Sequence, residues 1–198
     1  MIKAIIFDLG GVLFTNGAKK FIDDISARYA IDKEIVRNVI DGEIGTKYRE
    51  GKITRDEFWK QVLTNLNLKE DSNTLESEWI DDYKLIEGTR DIIFELRRKY
   101  KVYYLSDNVR ERVMRLDERY GFIKWFEGGI FSHEAGVRKP NPQIYKLAME
   151  KANVKPEEAV YIDDKASCIE PAEYMGMTAF LFENPDKLRR ELMDKGIL

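Results

Sequence analysis

The stretch AIIFDLGGVL, residues 4–13, decides the fold of this chain. It belongs to a mostly apolar run that starts at residue 2 and ends at residue 7, and such a run predicts a strand covered on both faces, as in a parallel sheet. Asp8 and a glycine pair follow directly. An acid at the carboxyl end of a central strand lies where doubly wound sheets bind ligands, and glycines let backbone N–H groups approach an anion. We therefore expect a ligand site at the end of the first strand.

Four further apolar runs predict strands at residues 102–105, 129–131, 159–162 and 178–182. Helical patterns lie between these runs, and Asn184 followed by Pro185 is typical of the start of a last helix. Because strands alternate with helices, the sequence predicts an α/β fold: a doubly wound, mostly parallel sheet with a Rossmann-like core.

One long segment interrupts this alternation, because no convincing strand lies within residues 15–87. Thr54 and Glu57 form a capping box at the start of a helix, while Asp32 and Ser72 are candidate caps of two more. The segment is therefore predicted to be a small all-helical cap inserted after the first strand. The predicted domains are an α/β core, residues 1–14 and 88–198, and a cap, residues 15–87.

Composition limits the classes of function. The chain has 198 residues, with 33 Lys and Arg against 36 Asp and Glu, so it lacks the basic excess of nucleic-acid-binding proteins. Its apolar runs are far shorter than the roughly 20 residues that span a bilayer, and no signal-peptide pattern is present. The single cysteine, Cys168, fits a reducing compartment. We expect a cytoplasmic monomer or homodimer without nucleic-acid or membrane partners.

Three further polar sites follow predicted strands. Ser106 and Asp107 end the second strand at the start of a helix, which is a natural place for an anion. Lys139, beyond the third strand, offers a point charge. Asp163 and Asp164 end the fourth strand as a carboxylate pair suited to a hard divalent cation such as Mg²⁺. A carboxylate nucleophile, a hydroxyl, a lysine and this pair together indicate phosphoryl transfer through an aspartyl-phosphate.

This ordered set resembles the haloacid dehalogenase (HAD) superfamily, and the helical insertion resembles the C1-type cap of that family. The Asp-Leu-Gly start, the paired aspartates and the stretch YREGKIT, residues 48–54, are similar to a bacterial α-glucose-1-phosphate phosphatase subgroup. The resemblance implies a Mg²⁺-dependent phosphatase that acts on a small phosphorylated metabolite, such as a sugar phosphate.

The resemblance also implies a role for each matched residue. Three side chains would carry the chemistry: the nucleophile Asp8, Ser106 and Lys139. Groups at the strand ends would bind the phosphoryl group: Leu9, Gly10, Ser106, Asp107 and Lys139. Oxygen atoms of four residues would bind Mg²⁺: Asp8, Gly10, Asp163 and Asp164.

One position departs from the family pattern. Family phosphatases usually carry a second aspartate two residues after the nucleophile, which protonates the leaving group and later activates water; here that residue is Gly10. If nothing replaces it, the loss is on the order of 10²–10⁴-fold. The expected substrates are then esters with an acidic leaving group, such as an anomeric hydroxyl, a phenol or another phosphate.

Two alternatives keep the fold and change the function. In a 2-haloacid dehalogenase, Asp8 would attack carbon and no metal would be needed, so the carboxylate pair at Asp163 and Asp164 argues against it. The other alternative is a catalytically weak relative that binds a phosphorylated ligand or a protein partner; it is suggested by Gly10 and by Ser167, which stands where family members often carry another acid.

Overall fold

A computed structural model describes residues 1–198 of the chain. Its centre is a sheet of five parallel strands in the order β3-β2-β1-β4-β5. The strands are β1 (Ala4–Phe7), β2 (Lys101–Ser106), β3 (Gly128–Phe131), β4 (Ala159–Asp163) and β5 (Thr178–Leu181). All five lie where the sequence predicts them, with ends that differ by one or two residues, and the sheet confirms the predicted fold class.

Both faces of the sheet are covered, which explains the continuous apolar run of the first strand. Ile5 and Phe7 pack into one hydrophobic cluster and Ala4 and Ile6 into another, and all four side chains are fully buried. Because alternate side chains of a strand point to opposite faces, a strand buried on both sides has no polar positions. The absence of alternation in the sequence follows from this packing.

The segment at residues 15–87, which follows β1, is helical, as predicted. Five helices belong to it: α1 (Gly17–Tyr29), α2 (Lys33–Asp41), α3 (Glu43–Arg49), α4 (Arg55–Asn65) and α5 (Ser72–Asp81). The capping box of Thr54 and Glu57 is present at the start of α4, and Asp32 caps α2. The helix N-cap predicted at Ser72 is wrong. The Asp71 side chain accepts a hydrogen bond from Thr74 N, and Ser72 is already the first helical residue of α5.

The cap helices are joined by an aromatic cluster. The Phe21 ring stacks on Trp79 at a centroid distance of 5.1 Å, Tyr48 stacks on Phe58 at 4.4 Å, and Trp59 meets Trp79 edge-on at 6.0 Å. All five side chains are buried. Large buried rings supply most of the apolar area that an assembly of short helices can bury, so this cluster holds the cap together.

Six helices complete the core: α6 (Glu87–Leu96), α7 (Arg110–Tyr120), α8 (Ser132–Ala135), α9 (Pro142–Ala152), α10 (Ala166–Tyr174) and α11 (Pro185–Asp194). Two 3₁₀ turns, Ile123–Trp125 and Pro156–Glu158, precede β3 and β4. No helix of the chain is both long and apolar enough to cross a bilayer.

The strand order places the ligand site. The chain moves to one side of β1 through β2 and β3 and to the other side through β4 and β5, so the topological switch lies between β1 and β4. Phe7 pairs with Tyr104 on one side and with Ile162 on the other. The residues that follow these three positions therefore meet at one edge of the sheet, where open α/β sheets bind ligands.

Candidate active site

Asp8 stands at the centre of this edge. Its backbone N–H donates to Ile162 O at 2.8 Å, which extends the β1–β4 pairing by one step and fixes where the side chain starts. The carboxylate is buried, and its Oδ1 lies 2.9 Å from Lys139 Nζ. Burial raises the pKa of Asp8 to about 7; the Lys139 charge opposes this rise, and the neighbouring carboxylates add to it. Asp8 is thus a poorly hydrated carboxylate with one cationic partner.

Lys139 bridges two carboxylates. Its Nζ lies 2.9 Å from Asp8 Oδ1 and 2.6 Å from Asp163 Oδ2, and only 3% of its side chain is exposed. Burial disfavours the ammonium, but Asp163 and Asp8 outweigh burial and hold the pKa of Lys139 well above its ordinary value. The ammonium is therefore a permanent positive charge beside the Asp8 carboxylate.

Asp163 has every oxygen engaged. Its Oδ2 accepts from Lys139 Nζ at 2.6 Å and from the Tyr161 hydroxyl, and its Oδ1 accepts from Lys165 N at 2.9 Å. The residue is fully buried. Burial alone would raise the pKa of Asp163, but Lys139 and these hydrogen bonds lower it below its ordinary value. Asp163 therefore anchors Lys139.

Asp164 has a free buried oxygen. Its Oδ1 is buried without a hydrogen-bond partner, and its Oδ2 has only Asn16 Nδ2, at 3.5 Å. Burial, and then the Asp163 charge, raise the pKa of Asp164. A Cβ at Gly11 would lie 2.2 Å from Asp164 Oδ2, and the φ of Gly11 is +95°, so only glycine permits this approach. An orphaned carboxylate oxygen of this kind lacks a cation or donor.

These carboxylates fit a hard divalent cation. Oxygens of Asp8, Asp163 and Asp164 all lie within 4.8 Å of one another. The Gly10 carbonyl, at the same turn, accepts no hydrogen bond within the protein. Carboxylate and carbonyl oxygens are the ligands that Mg²⁺ prefers, and the unpaired, buried Asp164 oxygen is suited to bind it.

Several residues at the strand ends beside Asp8 carry unpaired donors. The backbone N–H groups of Leu9, Gly10 and Asp107 donate to no group of the protein. The Ser106 side chain, at the end of β2, is 2% exposed and makes no hydrogen bond in the structure. Free N–H and hydroxyl donors around one point form a site for an anion with several oxygens.

The sheet edge and the cap enclose one cavity of about 420 Å³. Five of the predicted site residues line it: Asp8, Gly10, Ser106, Asp107 and Lys139. Leu9, Asp163 and Asp164 are not among the lining residues, and the Leu9 side chain is part of the hydrophobic core. The cap contributes polar lining residues, among them Asn16, Arg37, Arg49 and Tyr83. The volume suits a small metabolite.

The structure also joins the cap to the lysine loop through residues that the sequence analysis did not select. Arg138 Nη1 donates to Thr46 Oγ1 of α3 at 2.9 Å, and Arg138 Nε donates to Asp107 Oδ2 at 3.1 Å. The other oxygen of Asp107 accepts from Lys139 N at 3.0 Å. Arg138 is visible in the sequence beside Lys139, whereas Thr46 is a helix residue without any sequence signal.

Comparison with known proteins agrees with this geometry. The model of the haloacid dehalogenase-like hydrolase family matches residues 2–176, which is most of the chain and spans all the strand-end residues of the site. The chain belongs to this family. It is accordingly a hydrolase, and the resemblance inferred from the strand-end residues is confirmed at the level of the family.

Individual relatives of the HAD family differ in what they do. The chain is 27% identical, over 97% of both chains, to the D-ribitol-5-phosphate phosphatase of Bacteroides thetaiotaomicron. A HAD family enzyme of the same organism, solved with magnesium and inorganic phosphate, is 24% identical over 93% of this chain and 96% of that one, with a TM-score of 0.76. The L-2-haloacid dehalogenase of Xanthobacter autotrophicus is 21% identical over 100% of this chain and 85% of that one, with a TM-score of 0.68. The two structures show the fold alone.

Proposed function

We propose that this protein is a Mg²⁺-dependent phosphohydrolase that cleaves a phosphomonoester of a small metabolite through an aspartyl-phosphate on Asp8. The observation that carries the proposal is the surroundings of Asp8. A buried carboxylate beside the Lys139 ammonium faces a cavity that Gly10, Ser106 and Asp107 also line, and the Ser106 hydroxyl and the backbone N–H groups of Gly10 and Asp107 are unpaired. A nucleophile next to donors for three phosphoryl oxygens is what in-line phosphoryl transfer requires.

One side chain is the nucleophile, and the others bind the phosphoryl group or hold a charged side chain in place. An Asp8 oxygen forms the bond to phosphorus while the ester oxygen leaves with its electron pair, and water then cleaves the acyl-phosphate to regenerate the carboxylate. Ser106 and the N–H groups of Leu9, Gly10 and Asp107 hold phosphoryl oxygens, and Lys139 neutralises charge that Asp8 shares with them. Asp163 keeps the Lys139 ammonium in place through its 2.6 Å hydrogen bond.

Oxygen atoms of four residues would hold the metal: the carboxylates of Asp8, Asp163 and Asp164, which lie within 4.8 Å of one another, and the unpaired carbonyl of Gly10. When bound, Mg²⁺ neutralises charge on the phosphoryl oxygens and on the carboxylate cluster. Asp164 offers a free oxygen for direct ligation, whereas Asp163, whose oxygens are all engaged, is suited to ligation through water. This division follows from the hydrogen bonds that each carboxylate already makes.

The proposed substrate class is a sugar or polyol phosphate. The size of the cavity and its polar cap residues support it, as does the similarity to a phosphatase of D-ribitol 5-phosphate. Residues 15–87 would act as the cap that closes over this substrate and excludes bulk water. The lone Cys168, which is buried as a free thiol, supports the cytoplasm as the compartment.

Hydrolysis assays test this function. Purified protein is incubated with p-nitrophenyl phosphate and with a panel of sugar and polyol phosphates, in Mg²⁺ or in EDTA, and compared with Asp8→Asn. We expect turnover that needs Mg²⁺ and disappears in the variant. Release of halide from 2-haloacids without metal would instead support the dehalogenase alternative. Binding of phosphate esters without any turnover would support the binding-protein alternative.

A further inference from the structure

An aromatic ring from the cap lies next to Gly10, and both residues line the cavity. A Cβ built on Gly10 would lie 3.5 Å from Cε1 of Tyr83, at ordinary van der Waals distance. Tyr83 follows α5 and lines the same cavity as Asp8, Ser106 and Lys139. The place where family phosphatases carry their second aspartate is therefore bordered by a phenol.

The fold holds this ring in place from two sides. On the edge opposite Gly10, the ring lies against Gly17, where a Cβ would come within 2.3 Å of Cδ2 and 2.4 Å of Cε2. No side chain fits at residue 17 while Tyr83 keeps this position. Only 5% of Tyr83 is exposed, and its hydroxyl makes no hydrogen bond within the protein. The hydroxyl oxygen is nevertheless not fully enclosed. The phenol is thus a fixed donor that is free to serve a group in the cavity.

A buried cation lies against the Tyr83 ring. The guanidinium carbon of Arg112 lies 4.7 Å from the centre of the Tyr83 ring and 4.2 Å from that of Trp79. Arg112 is 2% exposed and forms no ion pair with any carboxylate of the chain; its Nη1 donates to Asn108 Oδ1 at 3.3 Å, and its Nε has no hydrogen-bond partner. A buried positive charge without a counter-ion is costly unless it serves a nearby negative charge. A negative charge on the Tyr83 oxygen would be a counter-ion for the Arg112 guanidinium.

We propose that Tyr83 is the catalytic acid that replaces the aspartate missing at Gly10, with Arg112 as the positioning residue that stabilises its phenolate. This inference rests on the proposed phosphatase function and adds the residue that handles the proton. As the bond between phosphorus and the ester oxygen breaks, the Tyr83 hydroxyl gives its proton to that oxygen, which leaves as an alcohol. The phenolate then takes a proton from the water that attacks the phosphorus of the Asp8 acyl-phosphate, and both residues return to their starting states.

The substrate class follows from this proton. Without an acid, only esters with acidic leaving groups would be cleaved well, because a poor leaving group needs a proton as its bond breaks. With Tyr83 in this role, esters of ordinary alcohols, such as the primary phosphates of sugars and polyols, become good substrates. The expectation drawn from Gly10 alone, a preference for acidic leaving groups, is thereby reversed.

The test compares two leaving groups in the Mg²⁺-loaded enzyme. The value of kcat/KM covers the steps up to loss of the leaving group, so it is measured for p-nitrophenyl phosphate and for a primary polyol phosphate. Tyr83→Phe keeps the ring and removes the donor. We expect its kcat/KM to fall by about 10²–10³-fold for the polyol ester and less than about threefold for the aryl ester, whose leaving group needs no proton. The control is Tyr48→Phe, which removes another hydroxyl of the cap, one that donates to Glu111. This variant should leave the ratio of kcat/KM for the two esters unchanged.

Two further variants separate catalysis from packing. Gly10→Asp in the Tyr83→Phe background places a carboxyl group at a position where a Cβ fits. It should raise kcat/KM for the polyol phosphate at least about tenfold above that of Tyr83→Phe alone. Gly17→Ala displaces the ring and should reproduce the selective loss.

Equal losses for both esters in Tyr83→Phe, or no loss for the polyol ester, would overturn the assignment of Tyr83 while leaving the phosphatase intact. Absence of wild-type hydrolysis of both esters would overturn the proposed function and this inference with it.

Discussion

Replacing Asp163 by asparagine should destabilise the metal-free protein, although the change removes only one charge. The Asp163 carboxylate accepts from Lys139 and Tyr161 through Oδ2 and from Lys165 N through Oδ1. An asparagine has one acceptor oxygen, so in either orientation its NH₂ group faces a donor. The Tyr161 hydroxyl can turn to accept a hydrogen bond, but the Lys139 ammonium and the Lys165 N–H cannot.

The magnitude follows from burial. Asp163 is fully buried and Lys139 nearly so, which means that water cannot replace the lost acceptor. Breaking a buried ion pair by removing one partner costs about 3–5 kcal/mol, and we expect Asp163→Asn to lower the free energy of unfolding by this amount. Lys139 keeps Asp8 as a partner, at 2.9 Å, which places the loss toward the lower end of this range.

The adjacent aspartate supplies a matched control. Asp164 Oδ1 has no partner and Oδ2 has one contact, with Asn16 at 3.5 Å, so an amide there loses no strong hydrogen bond and relieves repulsion with Asp8 and Asp163. We expect Asp164→Asn to change the free energy of unfolding by less than about 1 kcal/mol. Urea unfolding followed by circular dichroism in EDTA measures both variants. Similar losses in the two variants, or a loss below 1 kcal/mol for Asp163→Asn, would refute the division between anchor and open ligand.

Three further results follow from the site and its surroundings. Mg²⁺ at a hundred times its Kd should raise the wild-type Tm by about 5–10 °C and leave that of Asp164→Asn unchanged in differential scanning fluorimetry; equal shifts would contradict direct ligation by Asp164. Thr46→Val removes the 2.9 Å hydrogen bond from Arg138 that joins cap and core, so KM should rise by about fivefold with kcat kept, while a fall in kcat alone would argue against this role. Burial raises the pKa of the Cys168 thiol to about 11, so the folded protein should react with DTNB at pH 8 at least about 100-fold more slowly than free cysteine, and a reaction at the rate of free cysteine would show an exposed thiolate.

The sheet could be predicted because its signal is local. Each strand is a short apolar run, and the three central strands β1, β2 and β4 are buried on both faces, which removes the polar positions that an alternating strand would show. The helical insertion also shows in the sequence, through capping residues at the start of α4 and α2. The helix N-cap predicted at Ser72 is wrong by one residue, because Asp71 and Ser72 are both good capping residues and only the backbone conformation decides between them.

The central part of the site could also be predicted, since its residues follow strands whose carboxyl ends must meet. The contacts between the cap and this central part could not be predicted. Thr46 and Arg138 lie 92 residues apart, and their contact depends on how α3 packs over the lysine loop. Tyr83 and Arg112 meet because the end of the cap turns back toward α7. No periodicity or motif encodes such contacts, which arise only from the packing of the cap on the core.

The most direct test of the central claim is to trap the phosphoryl group on the protein. A ³²P-labelled phosphomonoester is mixed with the enzyme and Mg²⁺, quenched in acid within milliseconds, and the labelled peptide is identified after proteolysis. We expect a label on the peptide that contains Asp8, lost on treatment with hydroxylamine as is typical of an acyl-phosphate, and absent from Asp8→Asn. Turnover of the ester by an enzyme whose label lies on another residue, or persists in Asp8→Asn, would contradict an aspartyl-phosphate on Asp8.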